Sequence, residues 1–335
     1  MTTTLGPLHP RHGTHDPTSG TPLRTPGSVR RTATTDMLRP DGLSGPLVLR
    51  SRGRDLATDR NGAPHLLGEA GASAVIDFTG GWTLDEIATD PDRPALAGLL
   101  GRSVSAGFRR AALEADPLLP SENGLLHLLV DDFPVTTLVS GHAFGAGIPA
   151  ERRLPITTGR THLIPNQCAG FADDATIMTE VHRTGRAPLV TGPAALPLVD
   201  DDPWAWHPTA PLPPHGMRRW RRLDIRPGEP IAVDVLFRDS YVRPDGLETV
   251  IHEYTVAVTV DAASSTVRSC VATPRVLPWT ECPAAAASAG RLAGVPLAGL
   301  RQYVRQNFGG TSTCTHLNDT LRSLEDVAAL LPTVG

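Results

Sequence analysis

The sequence predicts an α+β fold, an antiparallel sheet with helices packed on one face. Three observations lead there. "IAVDVLF" (231–237) and "ETVIHEYTVAVTVD" (248–261) alternate with the period of two expected of half-buried strands. The turn sequence "DAASS" then feeds "TVRSCVA" (266–272), so three consecutive strands pair antiparallel. Helical patterns follow the strands instead of interleaving with them: "CPAAAASAGRLAG", "PLAGLRQYVRQNF" and "CTHLNDTLRSLEDVAALL". Strands first and helices afterwards place the helices together on one side of a sheet.

Four segments are expected. Residues 1–35 read as a disordered tail of Thr, Pro, Gly and His, of which 1–27 are removable. Residues 36–165 form an N-terminal α+β half. Its strands are "SGPLVLRSRG" and "ASAVIDFTG", with a helix from Ala95 to Ala115. "LLHLLVDDFPVTTLVSG" reads there as two strands about a turn at Asp131–Pro134. Residues 166–216 are a Pro/Trp-rich strap, since Ala187–Pro214 holds eight prolines, too many for a regular interior element. Residues 217–335 form a C-terminal α+β domain. "RPDGL" occurs at 39–43 and 243–247, each time leading into a strand, which raises two related β-rich halves; chance recurrence of turn chemistry is the alternative.

Composition excludes several functions. Net charge is −4 with the two signs intermixed, so there is no basic stripe for nucleic acid. No apolar run reaches membrane-spanning length and no leader is visible, which gives an expectation of a cytoplasmic chain that binds no membrane. All 31 basic residues are arginine, which rules out a Schiff-base lysine, pyridoxal phosphate and the lysine of a phosphate-binding loop. "GHAFGAG" (141–147) has dinucleotide-like glycines but no phosphate-binding helix after it, and "VDDDPW" (199–204) is a solvated acidic loop with Asp caps. Four scattered cysteines are expected to be reduced thiols.

"VRRTATTDMLRPDGL", "GLETVIHEYTVAVTVD" and the stretch from "VLPWTECP" to "GGTSTCTHLNDTLRSL" resemble the bacterial family called domain of unknown function 2889, most specifically over 217–327. The residues that carry the likeness are His252-Glu253, Cys282-Pro283 and Cys314–Leu317. The order of elements is also similar to iron–sulfur cluster scaffold proteins, although the final pair here is Cys-x-His and the first-strand cysteine is missing.

Cys314 and His316 open the closing helix, with Thr311 or Thr313 as its N-cap and Leu317, Leu321, Leu324, Ala328 and Leu331 as its apolar stripe. A thiol in a first helical turn meets unpaired N–H groups and the positive end of the dipole. Both favour thiolate and lower its pKa below the usual ~8.5. The sequence therefore offers Cys314 as nucleophile or metal ligand, and His316 or His252 as acid, base or second ligand. Cys282 and Cys314 at helix starts and His252 on the apolar side of its strand suggest a shared metal site of Cys282, Cys314, His316 and His252, for which zinc or iron is suited. The alternative is a set of packed core residues, with Cys168 and Cys270 structural in either case. Glu253 points the other way. Trp204, Trp206 and His207 are expected to pack down as a lid beside the closing helices. Arg221, Arg222, Arg238 or Arg243 would hold an anionic group of the substrate.

The expectation is a small-molecule enzyme of bacterial metabolism, of hydrolase or lyase type. A non-catalytic metal- or cluster-binding protein, or an accessory binding protein with core cysteines, is the alternative.

Overall fold

The computed structural model describes residues 12–120, 124–148, 165–199 and 202–331. The three alternating segments become the strands β6 (Ile231–Val242), β7 (Glu248–Val260) and β8 (Val267–Val276), preceded by β5 (Met217–Arg226), an arginine-rich strand that no alternation predicts. They continue a sheet begun by β1 (Ser28–Leu38), β2 (Leu47–Thr58), β3 (Pro64–Asp77) and β4 (Thr83–Asp90). The order is β4-β3-β2-β1-β5-β6-β7-β8, antiparallel throughout. Both "RPDGL" copies are hairpin turns, one between β1 and β2 and one between β6 and β7.

Helices gather on one face, as α+β packing requires. They are α1 (Phe108–Ala115), α2 (Leu125–Asp131), α3 (Phe133–Val139), α4 (Gly141–Ala146), α5 (Thr176–Thr184), α6 (Leu300–Asn307), α7 (Thr315–Arg322) and α8 (Asp326–Leu330). One hydrophobic cluster beneath them runs from Val29 to Leu330 and joins both halves of the sheet. Among the described residues no helix is long and apolar enough to cross a membrane.

Three expectations are corrected. Residues 28–35 are not a tail; they lie in β1, at the middle of the sheet between β2 and β5. Its arginines need carboxylates that only neighbouring strands and helices supply: Arg31 pairs with Asp55 and Asp326, and Arg30 with Asp224. Within 12–27, Thr18 donates its N–H to Glu253 and accepts from Arg238; residues 1–11 of the expected tail lie outside the described residues. Secondly, 125–139 is helical. Leu125–Val130 is buried on every side, and such an apolar run does not separate strand from buried helix. Pro134 falls in the first turn of α3, where its missing N–H costs nothing. Thirdly, residues 95–107 of the expected long helix hold only a 3-10 turn, Pro94–Leu99, before α1.

The first part of the expected strap holds Cys168 and α5 against the helix-side core, and only its later part, with Leu196, Trp206, His207 and Ala210, crosses the opposite face. His207 bonds Thr32 and Thr34 of β1, and Trp206 packs edge-on against Trp220 of β5 at 5.0 Å. Arg218 and Arg238 donate to carbonyls of Ala210 and Leu196. Two large rings and these bonds offset the cost of ordering so proline-rich a segment.

A chain starting at Ser28 should melt several degrees lower than the full chain. Removing Thr18 strips hydrogen bonds from the buried Arg238–Glu253 pair, a loss of about 1–3 kcal/mol; scanning calorimetry of the two chains checks this.

Acid sensitivity should come from buried histidines: His127, His207 and, on the closing helix, His316. Burial, reinforced by Arg301, holds His127 down to about 4. Burial, reinforced by Arg54 and Arg218, holds His207 down to about 3. The unfolded chain takes up these protons near 6.5, so stability is complete above that pH and falls as pH drops toward 4. Urea unfolding should show a loss on the order of 4 kcal/mol from His127 and His207 between about pH 7 and pH 4.5, with His316 adding to the proton uptake on unfolding. His207→Asn should lower that uptake by about one.

Candidate metal centre

β6 carries Ile231, Val233, Val235, Phe237 and Asp239 on its helix-facing side, so a carboxylate ends an apolar stripe. Across the hairpin Asp239 pairs in register with His252 of β7, where a bulge follows. From above, α7 lowers His316 onto the same spot. Asp239 Oδ2 lies 3.5 Å from His252 Nδ1 and 3.7 Å from His316 Nε2. The two imidazoles stack with centroids 3.8 Å apart. Among the described residues this is the group of His, Cys and carboxylate ligands whose donor atoms all fall within 4.8 Å of one another.

Arg219 of β5 fixes the carboxylate. Its Nε and Nη2 bond the two oxygens of Asp239 at 2.8 and 3.0 Å, with both side chains fully buried. Burial alone would raise the Asp239 pKa; the Arg219 guanidinium with its two hydrogen bonds, and the neighbouring His252 ring, outweigh it and hold the carboxyl well below its usual range. His316 is held well below 6.5 by burial and by the neighbouring His252, so it is a neutral imidazole. His252 Nδ1 and His316 Nε2 are both buried without a hydrogen-bond partner. Two buried ring nitrogens without partners and a carboxylate oxygen, all within 4.8 Å of one another, match the donor set of a zinc or non-haem iron centre. Ligand atoms sharing such an ion lie roughly 3–3.5 Å apart, given bonds of about 2.1 Å. His316 Nδ1 faces Cys314 Sγ at 3.8 Å, so a proton on Nδ1 leaves Nε2 free to ligate.

Behind Asp239 stands a continuous ion network. Arg219 also reaches Asp132 and Asp319. Asp132 is bidentate to Arg221, and Asp319 takes Arg109 and Arg322. Those two meet Asp131, which Arg301 links to Asp326 and so to Arg31 and Asp55.

The cysteines take a different role from the one expected. Cys314 is itself the N-cap of α7, in place of Thr311 or Thr313, and has extended backbone angles. The N–H groups of Leu317 and His316 do favour its thiolate, yet burial is the larger effect and raises its pKa. It is a neutral thiol, not an activated nucleophile. Cys282 opens a 3-10 helix, Cys282–Leu292, and burial raises it well above 9.0. Cys168, expected to be structural and remote, joins the other two thiols and Tyr254 electrostatically, and burial pushes it up to about 12. The thiols do not enter the Asp239 group: of the expected Cys282, Cys314, His316 and His252, the two histidines come together with Asp239, and Cys282 and Cys314 do not share that cluster. Cys270 is buried in β8.

The remaining site residues lie elsewhere. Trp204, Trp206 and His207 are on the opposite face of the sheet, with Trp204 at 40 % exposure, so they form no lid over the centre. Arg243 pairs with Asp245 in its turn. Arg221, Arg222 and Arg238 are taken by Asp132, Asp224 with Asp234, and Glu253. On the closing helix, a 3-10 turn at Ser323–Glu325 shifts the phase, so Val327 and Leu330 are buried and Ala328 is exposed. Asp239 escaped the sequence reading. Its signal was a lone carboxylate continuing the alternation of β6, a few residues before a tight turn leading to His252.

The C-terminal part of the chain, residues 217–330, matches a family model described as "Protein of unknown function (DUF2889)". The span covers β5 to α8 and contains Asp239, His252, His316, Cys282 and Cys314. No curated protein and no solved structure matches the chain.

Arg219→Met should destabilise the fold by about 3–5 kcal/mol, because it leaves Asp239 buried without its arginine. Guanidinium unfolding measures this. The fall should exceed that of Arg243→Met, whose pair with Asp245 is at the surface.

Proposed function

We propose that the protein is a metal-dependent enzyme acting on a small molecule, with a zinc or ferrous ion held by Asp239, His252 and His316. The observation that carries this reading is the pair of buried imidazole nitrogens, His252 Nδ1 and His316 Nε2, left without partners around one oxygen of Asp239. A buried polar atom with no partner costs about 1–3 kcal/mol, and here an ion would satisfy two at once. Three protein ligands leave coordination positions open for water or substrate, as catalytic sites do and closed structural sites do not.

Each residue has a stated part. Arg219 holds Asp239 ionised and fixed in rotation, with lone pairs of Oδ2 still turned to the imidazoles. His316 presents Nε2 while its Nδ1 proton points to Cys314. The thiol thereby orients a ligand instead of attacking a substrate. Side chains of His252 and His316 keep 13 % exposure each, while the ligating nitrogens and Asp239 are buried. A bound divalent ion would supply Lewis acidity and a water acidified toward neutral pH, which is the chemistry of hydrolases and lyases.

Elemental analysis of protein purified without chelator should find close to one zinc or iron per chain. His316→Ala and His252→Ala should each lower metal affinity at least ten-fold while melting stays cooperative. Cys314→Ser and Cys282→Ser should retain the ion, with Cys314→Ser binding it more weakly because it loosens His316. A wild-type protein that takes up neither metal, or a Cys282→Ser variant that loses it, would sink the proposal.

A further inference from the structure

The sheet has a second face, and that face is only partly covered. The strap lies along β1 and β5, fastened by His207 to Thr32 and Thr34. Beside it, over β2, β3 and β4, a groove of about 540 Å³ remains open, walled on one side by His207 and Pro208. That size falls within the range of small-molecule sites.

Its lining has a definite chemistry. Along β2, Arg50 and Arg52 project into the groove two residues apart, so their Cα atoms are separated by roughly 7 Å. Both are exposed, and among the described residues neither has an ion pair or hydrogen bond. Glu69 and Asp90 also line the groove, and among the described residues neither forms an ion pair with Arg50 or Arg52. Asp36 is bidentate to Arg218, and Glu69 stands in register with Arg54. Asp90 lies two strands from Arg52, across Gly71.

The floor is made of small residues: Gly71, Ser73 and Ala88. Gly71 is informative. A Cβ there would meet nothing closer than 3.7 Å, and its φ is not in the left-handed region. The fold itself does not require glycine at this position, whereas any longer side chain would occupy the space between Arg52 and Asp90.

We propose that this groove is a second binding site, for a small molecule carrying a carboxylate or phosphate group. Arg50 and Arg52 grip the anion, and the ligand's body lies on the small-residue floor against Pro208. Guanidiniums suit this role because their planar donors pair bidentately with either group. The site lies across the sheet from Asp239, and its residues fall outside the matched span of 217–330. It does not depend on the metal proposal.

Calorimetric titration of the full chain with inorganic pyrophosphate and, separately, with succinate tests this and distinguishes a phosphate ligand from a carboxylate one. Saturable one-to-one binding of at least one anion is expected. Arg50→Ala with Arg52→Ala should weaken it at least ten-fold, and Gly71→Leu by a similar factor. Arg60→Ala, at the exposed β2–β3 turn, should leave it unchanged. His316→Ala should also leave it unchanged, which separates binding in the groove from chelation at the metal centre. If Gly71→Leu fails to fold, the arginine pair alone decides. Absence of saturable binding by both anions, or binding indifferent to the double arginine variant, overturns the proposal.

Discussion

The structure depends on a buried ion network that joins the middle of the sheet to the helices above it. Arg31, Arg219 and Arg221 rise from β1 and β5, while Asp131, Asp132, Asp319 and Asp326 descend from the helical layer. Arg109, Arg301 and Arg322 link those carboxylates to one another, and Asp55 and Asp239 close the two ends within the sheet. Six cations meet six anions, so the layer is neutral as a whole. A network of this kind contributes less to net stability than its Coulomb energy suggests, because each charge must leave water. It does make the packing directional. Apolar layers slide, whereas bidentate pairs such as Arg221 with Asp132 set the height and rotation of a helix over a strand. The exclusive use of arginine fits this architecture, since a lysine ammonium cannot bridge two carboxylates in a plane.

The candidate centre sits at one end of that network. Asp239 inherits a fixed orientation from Arg219, and the imidazoles of His252 and His316 are brought to it by β7 and α7. Because the carboxylate is already neutralised, a divalent ion would be the only uncompensated charge there, and its electrophilic character would be undiminished by the layer around it. Burial also explains why the thiols are quiet. At Cys314 the start of a helix and the loss of water pull the pKa in opposite directions, and the loss of water is the larger effect.

The two faces of the sheet thus serve different ends. One holds the charges, the core and the candidate metal centre. The other holds a strap fastened by Trp206, His207 and carbonyl acceptors, with a groove left open at its side. β1 serves both, since its odd-numbered residues face the network and its even-numbered ones face the strap.

By itself the sequence determined the α+β class, the strands with clean alternation from β6 to β8, and the helix start at Cys314-x-His316. These are local properties, written in periods of two and in the position of a few residues. Tertiary structure alone decided the rest. β1 reads as polar tail because its arginines find carboxylates only in distant elements. The apolar run 125–139 became helix because burial on every side erases the periodicity that would name it. Asp239 joined His252 because a hairpin register with a bulge aligned them, and Cys168 joined the other thiols through a loop that meets Thr313. The strap could be expected to pack, but which face it covered depended on where Thr32, Thr34 and Trp220 stood in the finished sheet, and that is a property of strand order, not of any one segment.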